Sequence, residues 1–136
     1  MRVPRYDMGF TLIELMIVIT IIAALAAMVV PRLGERSEQA KITIAESEIK
    51  TNLALSLKLY KLDSGRYPTT EQGLNALMTK PSSSPVPNSW SGPYIETEPL
   101  DPWKNPYKYK SSSPTAYELS SMGPDGLEGT SDDVKN

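Results

Sequence analysis

Hydrophobic and polar positions divide the chain into three stretches with different patterns. Residues 10–30 hold 18 apolar side chains in 21 positions, interrupted only by two threonines and Glu14. At about 1.5 Å per residue, a helix of this length reaches roughly 30 Å, the thickness of the hydrocarbon core of a bilayer. The rest of so short a chain cannot cover a helix that is apolar on every face. The pattern therefore predicts a transmembrane helix over residues 10–30.

A second, amphipathic helix is predicted after the apolar run. Pro31 and Gly34 are expected to interrupt the helix, because proline removes a backbone hydrogen bond and bends or loosens the preceding turn. Apolar residues then recur at spacings of three or four, which places them on one helical face. The turn signal Asp63-Ser64-Gly65 ends this helix at about Leu62. The predicted apolar face consists of Ile42, Ala45, Ile49, Leu53, Leu57 and Tyr60.

The remaining stretch favours short elements joined by loops. Ten of the 12 prolines lie between residues 68 and 124, where they exclude long helices and central strands. A short helix is predicted over residues 71–78, with Thr70 as its N-cap and Leu74 and Leu77 on its buried side. Residues 82–87 read as an exposed loop.

Two short strands are predicted beside that helix. Residues 107–110 and 116–120 flank Ser-Ser-Ser-Pro, which is typical of a hairpin. The fold class is therefore α+β. Four aromatic side chains are expected to anchor the core and loops rather than to stack on a ligand: Tyr67, Trp90, Trp103 and Tyr107.

Composition excludes several kinds of function. The chain has no His and no Cys, so a Ser-His-Asp relay, an imidazole base, a thiol nucleophile and a disulfide framework are all excluded. The net charge is -2, with 14 basic and 16 acidic residues, and the basic residues form no run. We therefore expect no nucleic-acid partner.

The N-terminal end carries two further signals. Arg2 and Arg5, opposed by Asp7, form a short and mildly basic leader that the positive-inside tendency keeps cytoplasmic, so the remainder faces outward. Glu14 is unusual, because an unpaired carboxylate in lipid costs a few kcal/mol and intramembrane acids mark functional sites. The alternative is that Glu14 reaches the interface or is protonated.

The segment Gly9-Phe10-Thr11-Leu12-Ile13-Glu14 resembles the processing site of type IV pilins and pseudopilins. The resemblance implies that residues 1–9 are a leader, which a prepilin peptidase removes after Gly9. It also implies N-methylation of Phe10 and retention of the apolar segment. Glu14 would then pair with the N-terminal ammonium of an adjacent subunit and set the axial register of a fibre. Basic residues often flank the cut in this family, whereas here Asp7 and Met8 do.

Four later motifs resemble, in order, the major pseudopilin of bacterial type II secretion. They are residues 65–74, Gly92-Pro93-Tyr94, residues 101–107 and Gly123-Pro124-Asp125-Gly126. The resemblance covers nearly the whole chain and implies a pilin-like fold. A long N-terminal helix would pack on a small antiparallel sheet with a loop-rich C-terminal region, and residues 31–136 would form a periplasmic domain.

An acidic stretch near the C-terminus is a candidate cation site. Its composition alone allows either a solvated acidic turn or a Ca²⁺ site, because glycines let a loop turn its carbonyl oxygens inward. The family resemblance implies calcium, held by carboxylate, hydroxyl and carbonyl oxygens. The implied ligands are the side chains of Asp125, Thr130, Asp132 and Asp133 and the carbonyls of Met122 and Leu127.

The function implied is structural and not enzymatic. The chain would be a single-pass protein of the bacterial inner membrane, in contact with lipid before assembly. It would polymerise with itself and with minor pseudopilins, acting with an inner-membrane platform protein to export folded proteins. One alternative is a type IV pilin for adhesion, motility or DNA uptake. Another is a periplasmic enzyme using paired acids such as Glu96 and Glu98, or Asp132 and Asp133.

Overall fold

The computed structural model describes residues 9–136, and the side chains of all of these except residues 29–33. The predicted leader residues 1–8 lie outside the described residues. The chain divides into two compact units, of which the first ends at Ser37 and the second runs from Glu38 to Asn136.

The first long element is helix α1, Leu12–Ser47. This helix continues through Pro31 and Gly34, so the predicted interruption at these residues is wrong. A proline inside a helix removes only one backbone hydrogen bond, and in a helix of 36 residues the remaining bonds can carry the helix across it. Within the described residues, none of the helices combines the length and apolar character that crossing a membrane requires. The membrane span over residues 10–30 stays a prediction.

A widened π turn follows α1 and leads into the second helix. The π turn spans Glu48–Leu53 and helix α2 spans Ala54–Ser64. Gly65 ends α2 in the left-handed conformation, with φ of 79°, and its N–H donates to the carbonyl of Lys61 at 2.8 Å. Glycine adopts this conformation without a steric penalty, so the predicted helix end is confirmed.

The π turn was not predicted, although the sequence contains a signal for it. Ala45, Ile49, Leu53 and Leu57 are spaced by four residues each time, and all four are buried. Four residues advance an α-helix by about 400°, so three such steps turn the apolar face by about 120°. A wider turn reduces this rotation and keeps the four side chains facing one core.

The predicted helix over residues 71–78 is largely replaced by turns. Only a 3-10 helix, Leu74–Leu77, forms, because Gly73 has φ of 56° and ψ of -161° and breaks the helical path. The capping residue is Thr69 and not Thr70: Thr69 Oγ1 accepts from the N–H of Gln72, whose side-chain oxygen accepts from the N–H of Thr69. This reciprocal pair closes the turn.

Gln72 also fixes the neighbouring loop. Its side-chain nitrogen donates to the carbonyls of Ser83 and Pro85, at 2.9 and 3.1 Å. Residues 82–87 contain no helix or strand, as predicted. Pro87 is buried, so this loop is anchored at its C-terminal end.

The second unit contains a three-stranded antiparallel sheet. Strand β1, Lys108–Ser113, pairs with β2, Ala116–Ser121, which confirms the predicted hairpin. A third strand that was not predicted, β3, Val134–Lys135, adds to the far edge of β2. The α+β architecture is thus the one expected.

The core lies between the helical face and this sheet. The whole predicted face of the amphipathic helix belongs to it, and Ile42 alone is only partly buried. Tyr67 and Tyr107 are buried, while Trp90 and Trp103 pack against its edge, so the aromatic residues anchor core and loops as predicted. Leu57, Leu77 and Leu119 are at most 1% exposed, and burial of such side chains is the main favourable term in folding.

Candidate functional site

The N-terminal junction is open in the described chain. Gly9, Phe10 and Thr11 precede α1 without regular structure, and the Phe10 side chain is 78% exposed. A Cβ built on Gly9 meets nothing within 4 Å. Among the described residues, the fold therefore places no steric demand for glycine at position 9.

Glu14 lies in the first turn of α1, next to the N-cap. The N–H of Glu14 donates to Thr11 Oγ1 at 3.2 Å, so Thr11 is the N-cap and Glu14 is the third helical residue. This is the spacing of a capping box, in which an acid also lies beside the positive end of the helix dipole. The same spacing is visible in the sequence Thr11-Leu12-Ile13-Glu14, but the N-cap at Thr11 was not predicted. Only the backbone N–H of Glu14 takes part in this contact, so the contact assigns no role to its carboxylate.

The apolar residues of the first unit are exposed. From Phe10 to Met28 the large apolar side chains show between 45% and 78% of their surface. Monomeric soluble proteins rarely expose so much contiguous apolar surface, and such a surface marks a contact with lipid or protein. The exposed side chains include Leu12, Ile13, Leu15, Met16, Ile17, Val18, Ile19, Ile21, Ile22 and Leu25.

The acidic loop, defined here as residues 122–133, connects β2 to β3. Gly123, Gly126 and Gly129 all have positive φ, a conformation that glycine adopts without a steric penalty. A Cβ built on Gly123 would collide with the backbone carbonyl oxygen of Asp132. Glycine is therefore required at 123, because the two ends of the loop approach each other there.

Oxygen atoms converge on the hydroxyl of Thr130. Its Oγ1 lies 2.5 Å from Oδ1 of Asp132, 3.2 Å from the carbonyl of Leu127 and 3.5 Å from Oδ1 of Asp133. A hydroxyl has one proton, so these three acceptors share a single donor. An excess of oxygen acceptors over donors is the chemistry that a hard cation such as Ca²⁺ satisfies.

Asp125 joins this group through its backbone. Its N–H donates to Oδ2 of Asp132 at 3.3 Å, while its own Oδ1 accepts from the N–H of Leu127 at 2.8 Å. The loop thus brings together five of the six predicted ligand residues. For Met122 the structure gives only a half-buried side chain.

Two lysines of the sheet contact the acidic loop. Lys135 Nζ lies 3.3 Å from Oδ2 of Asp133, whose side chain is only 3% exposed, and Lys110 Nζ lies 2.7 Å from Glu128. Neither pair was predicted from the sequence. For Lys110 and Glu128 the reason is their separation of 18 positions, which gives no sign of the contact. Lys110 thus joins the loop to β1, whereas Lys135 contacts the residue that directly precedes its own strand.

The carboxylates of the loop are biased toward their charged forms. The hydroxyl of Thr130 holds the pKa of Asp132 below its usual value, and the N–H of Gly129, which donates at 2.9 Å, does the same for the pKa of Asp133. Lys110 lowers the pKa of Glu128. All three side chains are therefore anionic at neutral pH.

The donor set fits a hard cation only when hydroxyl and carbonyl oxygens are included. Among residues 9–136, no three acidic side chains lie close enough to hold a metal by themselves. Thr130, Leu127, Asp132 and Asp133 supply a hydroxyl, a carbonyl and two carboxylates, a mixture that Ca²⁺ accepts and that softer metals do not prefer. The calcium site stays a prediction.

Comparison with known protein families matches almost the whole chain. Residues 9–30 match the prokaryotic N-terminal methylation motif. Residues 32–136 match the family described as type II secretion system (T2SS), protein G. The two matches adjoin near Pro31, where the apolar segment ends.

Individual relatives agree with this assignment. The type II secretion system core protein G of Pseudomonas aeruginosa is 47% identical over 130 residues, which cover 94% of this chain and 91% of that protein. The core protein G of Aeromonas hydrophila is 48% identical over 134 residues, which cover 97% and 93%.

A solved structure shows the same fold. The crystal structure of the major pseudopilin from the type 2 secretion system of enterohaemorrhagic Escherichia coli superimposes with a TM-score of 0.68 at 36% identity. The match covers 75% of this chain and 87% of that chain. The resemblance predicted from the sequence motifs is confirmed: the chain belongs to the type II secretion system protein G family and is a structural subunit of the pseudopilus.

Proposed function

We propose that the chain is made as an inner-membrane precursor and polymerises in the periplasm to drive the export of folded proteins across the outer membrane. The observation that carries this proposal is the methylation motif at residues 9–30, directly followed by the protein G domain. A prepilin peptidase would cut after Gly9, and methylation would follow on the new amine of Phe10.

Residues 10–30 serve two environments in this proposal. Before assembly they span the bilayer, and the exposed apolar side chains of Phe10 to Met28 contact lipid. After assembly the same side chains contact those of neighbouring subunits. The same apolar surface suits both environments, because lipid tails and apolar side chains are similarly apolar.

Glu14 would control the entry of subunits into the fibre. Cleavage creates an ammonium on Phe10, and the carboxylate of Glu14 on an adjacent subunit neutralises it inside the apolar fibre. A charged pair of this kind favours a single axial register, since a shifted subunit leaves both charges unpaired.

The partners follow from this scheme. The chain would meet the prepilin peptidase and lipid as a precursor, then a platform protein of the inner membrane, further copies of itself and minor pseudopilins. No nucleic-acid partner is included, because the net charge is -2 and the basic residues form no run. No catalytic role is included either.

Calcium would stabilise the C-terminal part of the domain. Asp125, Asp132 and Asp133 would supply carboxylates, Thr130 its hydroxyl, and Met122 and Leu127 their carbonyls. The bound ion supplies positive charge that offsets the mutual repulsion of the carboxylates. Because β3 directly follows the acidic loop, a fixed loop would also fix the C-terminal strand.

The test separates the charge of Glu14 from the helix cap at Thr11. Glu14→Gln keeps a side chain suited to a capping box but removes the charge, whereas Thr11→Ala removes the cap and keeps the charge. We expect Glu14→Gln to abolish fibre formation and secretion, and Thr11→Ala to retain most of both. Crosslinking of membrane fractions measures assembly, and mass spectrometry reports cleavage after Gly9 and methylation of Phe10.

The result that would overturn the proposal is equally specific. If Glu14→Gln assembles and secretes like the unmodified chain while Thr11→Ala fails, Glu14 acts through the helix start and not through a charge pair. A mature chain that does not begin at methylated Phe10 would contradict the processing scheme.

A further inference from the structure

Asp101 is a buried carboxylate that lies outside the acidic loop. It is 2% exposed and accepts three hydrogen bonds. Its Oδ1 accepts from the N–H groups of Trp103 and Asn105, at 3.0 and 2.8 Å, and its Oδ2 accepts from the hydroxyl of Ser121 at 2.6 Å. A carboxylate with this many donors fixes all the groups around it.

One side of Asp101 leads to the acidic loop. Ser121, at the end of β2, is fully buried, and its Oγ donates to Asp101 while it accepts from the N–H of Gly123 at 3.1 Å. Gly123 in turn lies against Asp132, whose Oδ2 is 3.1 Å from a Cβ built on the glycine. Two buried hydrogen bonds therefore connect Asp101 to Gly123, the residue that lies against Asp132.

The other side of Asp101 leads to the long helix. The turn that Asp101 holds carries Trp103, whose indole N–H donates to Oε2 of Glu38 at 2.8 Å. Glu38 belongs to α1 and also accepts from Lys41 at 2.9 Å. The chain of contacts thus runs from the acidic loop through Ser121 and Asp101 to α1.

We infer that Asp101 is a positioning residue for the acidic loop and couples the affinity of this loop for a cation to the contact between Trp103 and Glu38. The inference rests on the proposed calcium site. Coupling of this kind is reciprocal: if a cation strengthens the Trp103 contact, removal of that contact weakens cation binding by the same factor. Calcium would then act on α1, which carries the fibre-forming segment, and not on the C-terminal strand alone.

The experiment measures Ca²⁺ binding by calorimetry on the full chain in detergent micelles, at a temperature where circular dichroism shows each variant to be folded. We expect Asp101→Asn and Ser121→Ala to weaken Ca²⁺ binding at least about five-fold. Trp103→Phe, which keeps a ring but loses the N–H, is expected to weaken it as well. A role in stability alone would lower the melting temperature without changing the affinity of the folded chain.

The control is a second hydrogen-bonded acid. Asp63 of α2 accepts from the hydroxyl of Tyr94 at 2.6 Å. Asp63→Asn should lower the melting temperature and leave Ca²⁺ affinity within about two-fold. The reason is that Asp63 is not one of the residues whose contacts connect α1 to the acidic loop.

The outcomes separate this inference from the proposed site. If the unmodified chain binds no Ca²⁺, the proposed site fails and the inference fails with it. If the unmodified chain binds Ca²⁺ and the folded variants bind it equally well, the site stands and Asp101 has no positioning role. Should Asp101→Asn not fold, Ser121→Ala and Trp103→Phe decide the matter in the same way.

Discussion

The phenolic hydroxyl of Tyr107 donates a 2.6 Å hydrogen bond to Oε2 of Glu48, across 59 positions of the sequence. Glu48 is the first residue of the π turn, and Tyr107 directly precedes β1. Burial, and next the carboxylate of Glu48, raise the pKa of Tyr107 above its usual value. Tyr107 is thus a donor at every physiological pH, and this bond links the widened turn to the sheet.

Removing this bond should destabilise the domain. Tyr107→Phe keeps the buried ring but leaves the half-buried carboxylate of Glu48 without its donor. We therefore expect the free energy of unfolding to fall by about 1–2 kcal/mol. Urea unfolding followed by circular dichroism measures the change. The matched control is Tyr117→Phe, because within the described residues the Tyr117 hydroxyl has no hydrogen-bond partner. Equal losses in the two variants would contradict the assignment.

The second prediction concerns the helical face of the core. Leu57 is fully buried, whereas Leu59, two residues later in α2, is 44% exposed. Leu57→Ala should lower the free energy of unfolding by about 2–5 kcal/mol, because apolar burial is lost and a cavity remains. Leu59→Ala should lower the free energy of unfolding by only about 0.5 kcal/mol. A larger loss for Leu59→Ala in urea unfolding would show that the wrong face of α2 has been assigned to the core.

Periodicity predicted the parts of the fold in which local pattern and burial agree. The helical face from Ile42 to Tyr60 and the hairpin of β1 and β2 both follow from side-chain spacing. Strand β3 could not be predicted this way, because Val134 and Lys135 become a strand only by pairing with Ser121 and Ser120 of β2. A two-residue strand has no periodicity of its own.

Helix α1 and the short helix show a second limit. Pro31 favours a break, but α1 continues through it, since one missing hydrogen bond is a small part of a 36-residue helix. For the segment after Tyr67, the threonine that caps is Thr69, and adjacent threonines cannot be distinguished by residue type alone. Which of two equal candidates is used depends on tertiary contacts, here the bond from Ser111 N–H to Thr70.

The acidic loop was identifiable from its residue types, but its support was not. Asp125, Thr130, Asp132 and Asp133 stand out by composition and by resemblance. Asp101 is 20 positions away from Ser121 in the sequence, and nothing in the spacing of the two indicates a bond. Buried polar contacts between distant segments are set by the packed fold, so sequence patterns do not reveal them.

The third prediction tests the hydroxyl at the centre of the loop. Thr130→Val keeps the size of the side chain and removes the oxygen that contacts Leu127, Asp132 and Asp133. We expect Ca²⁺ binding, measured by calorimetry, to weaken about ten-fold or more. Ser131→Ala, at the exposed neighbouring position, is the control and should bind as the unmodified chain does. Equal binding by both variants would remove Thr130 from the ligand set.

The last prediction concerns pH. The pKa values of Asp132 and Asp133 are lowered by the hydroxyl of Thr130 and the N–H of Gly129. A lowered folded-state pKa gives stability that is complete above the unfolded value of about 3.9 and is lost as the pH falls through the folded value. The chain also has no His, whose charge would change between about pH 5 and 8.

Ca²⁺ affinity should therefore be the same within about two-fold at pH 5.5 and pH 7.5, and should fall only below about pH 4 as the carboxylates become protonated. Calorimetric titrations at these pH values, in a buffer that does not bind calcium, provide the measurement. Thr130→Val removes the largest cause that lowers the pKa of Asp132, so the loss of binding in this variant should begin at a higher pH. An affinity that already falls ten-fold between pH 7.5 and 5.5 would mean that a group other than these aspartates controls the binding of the cation.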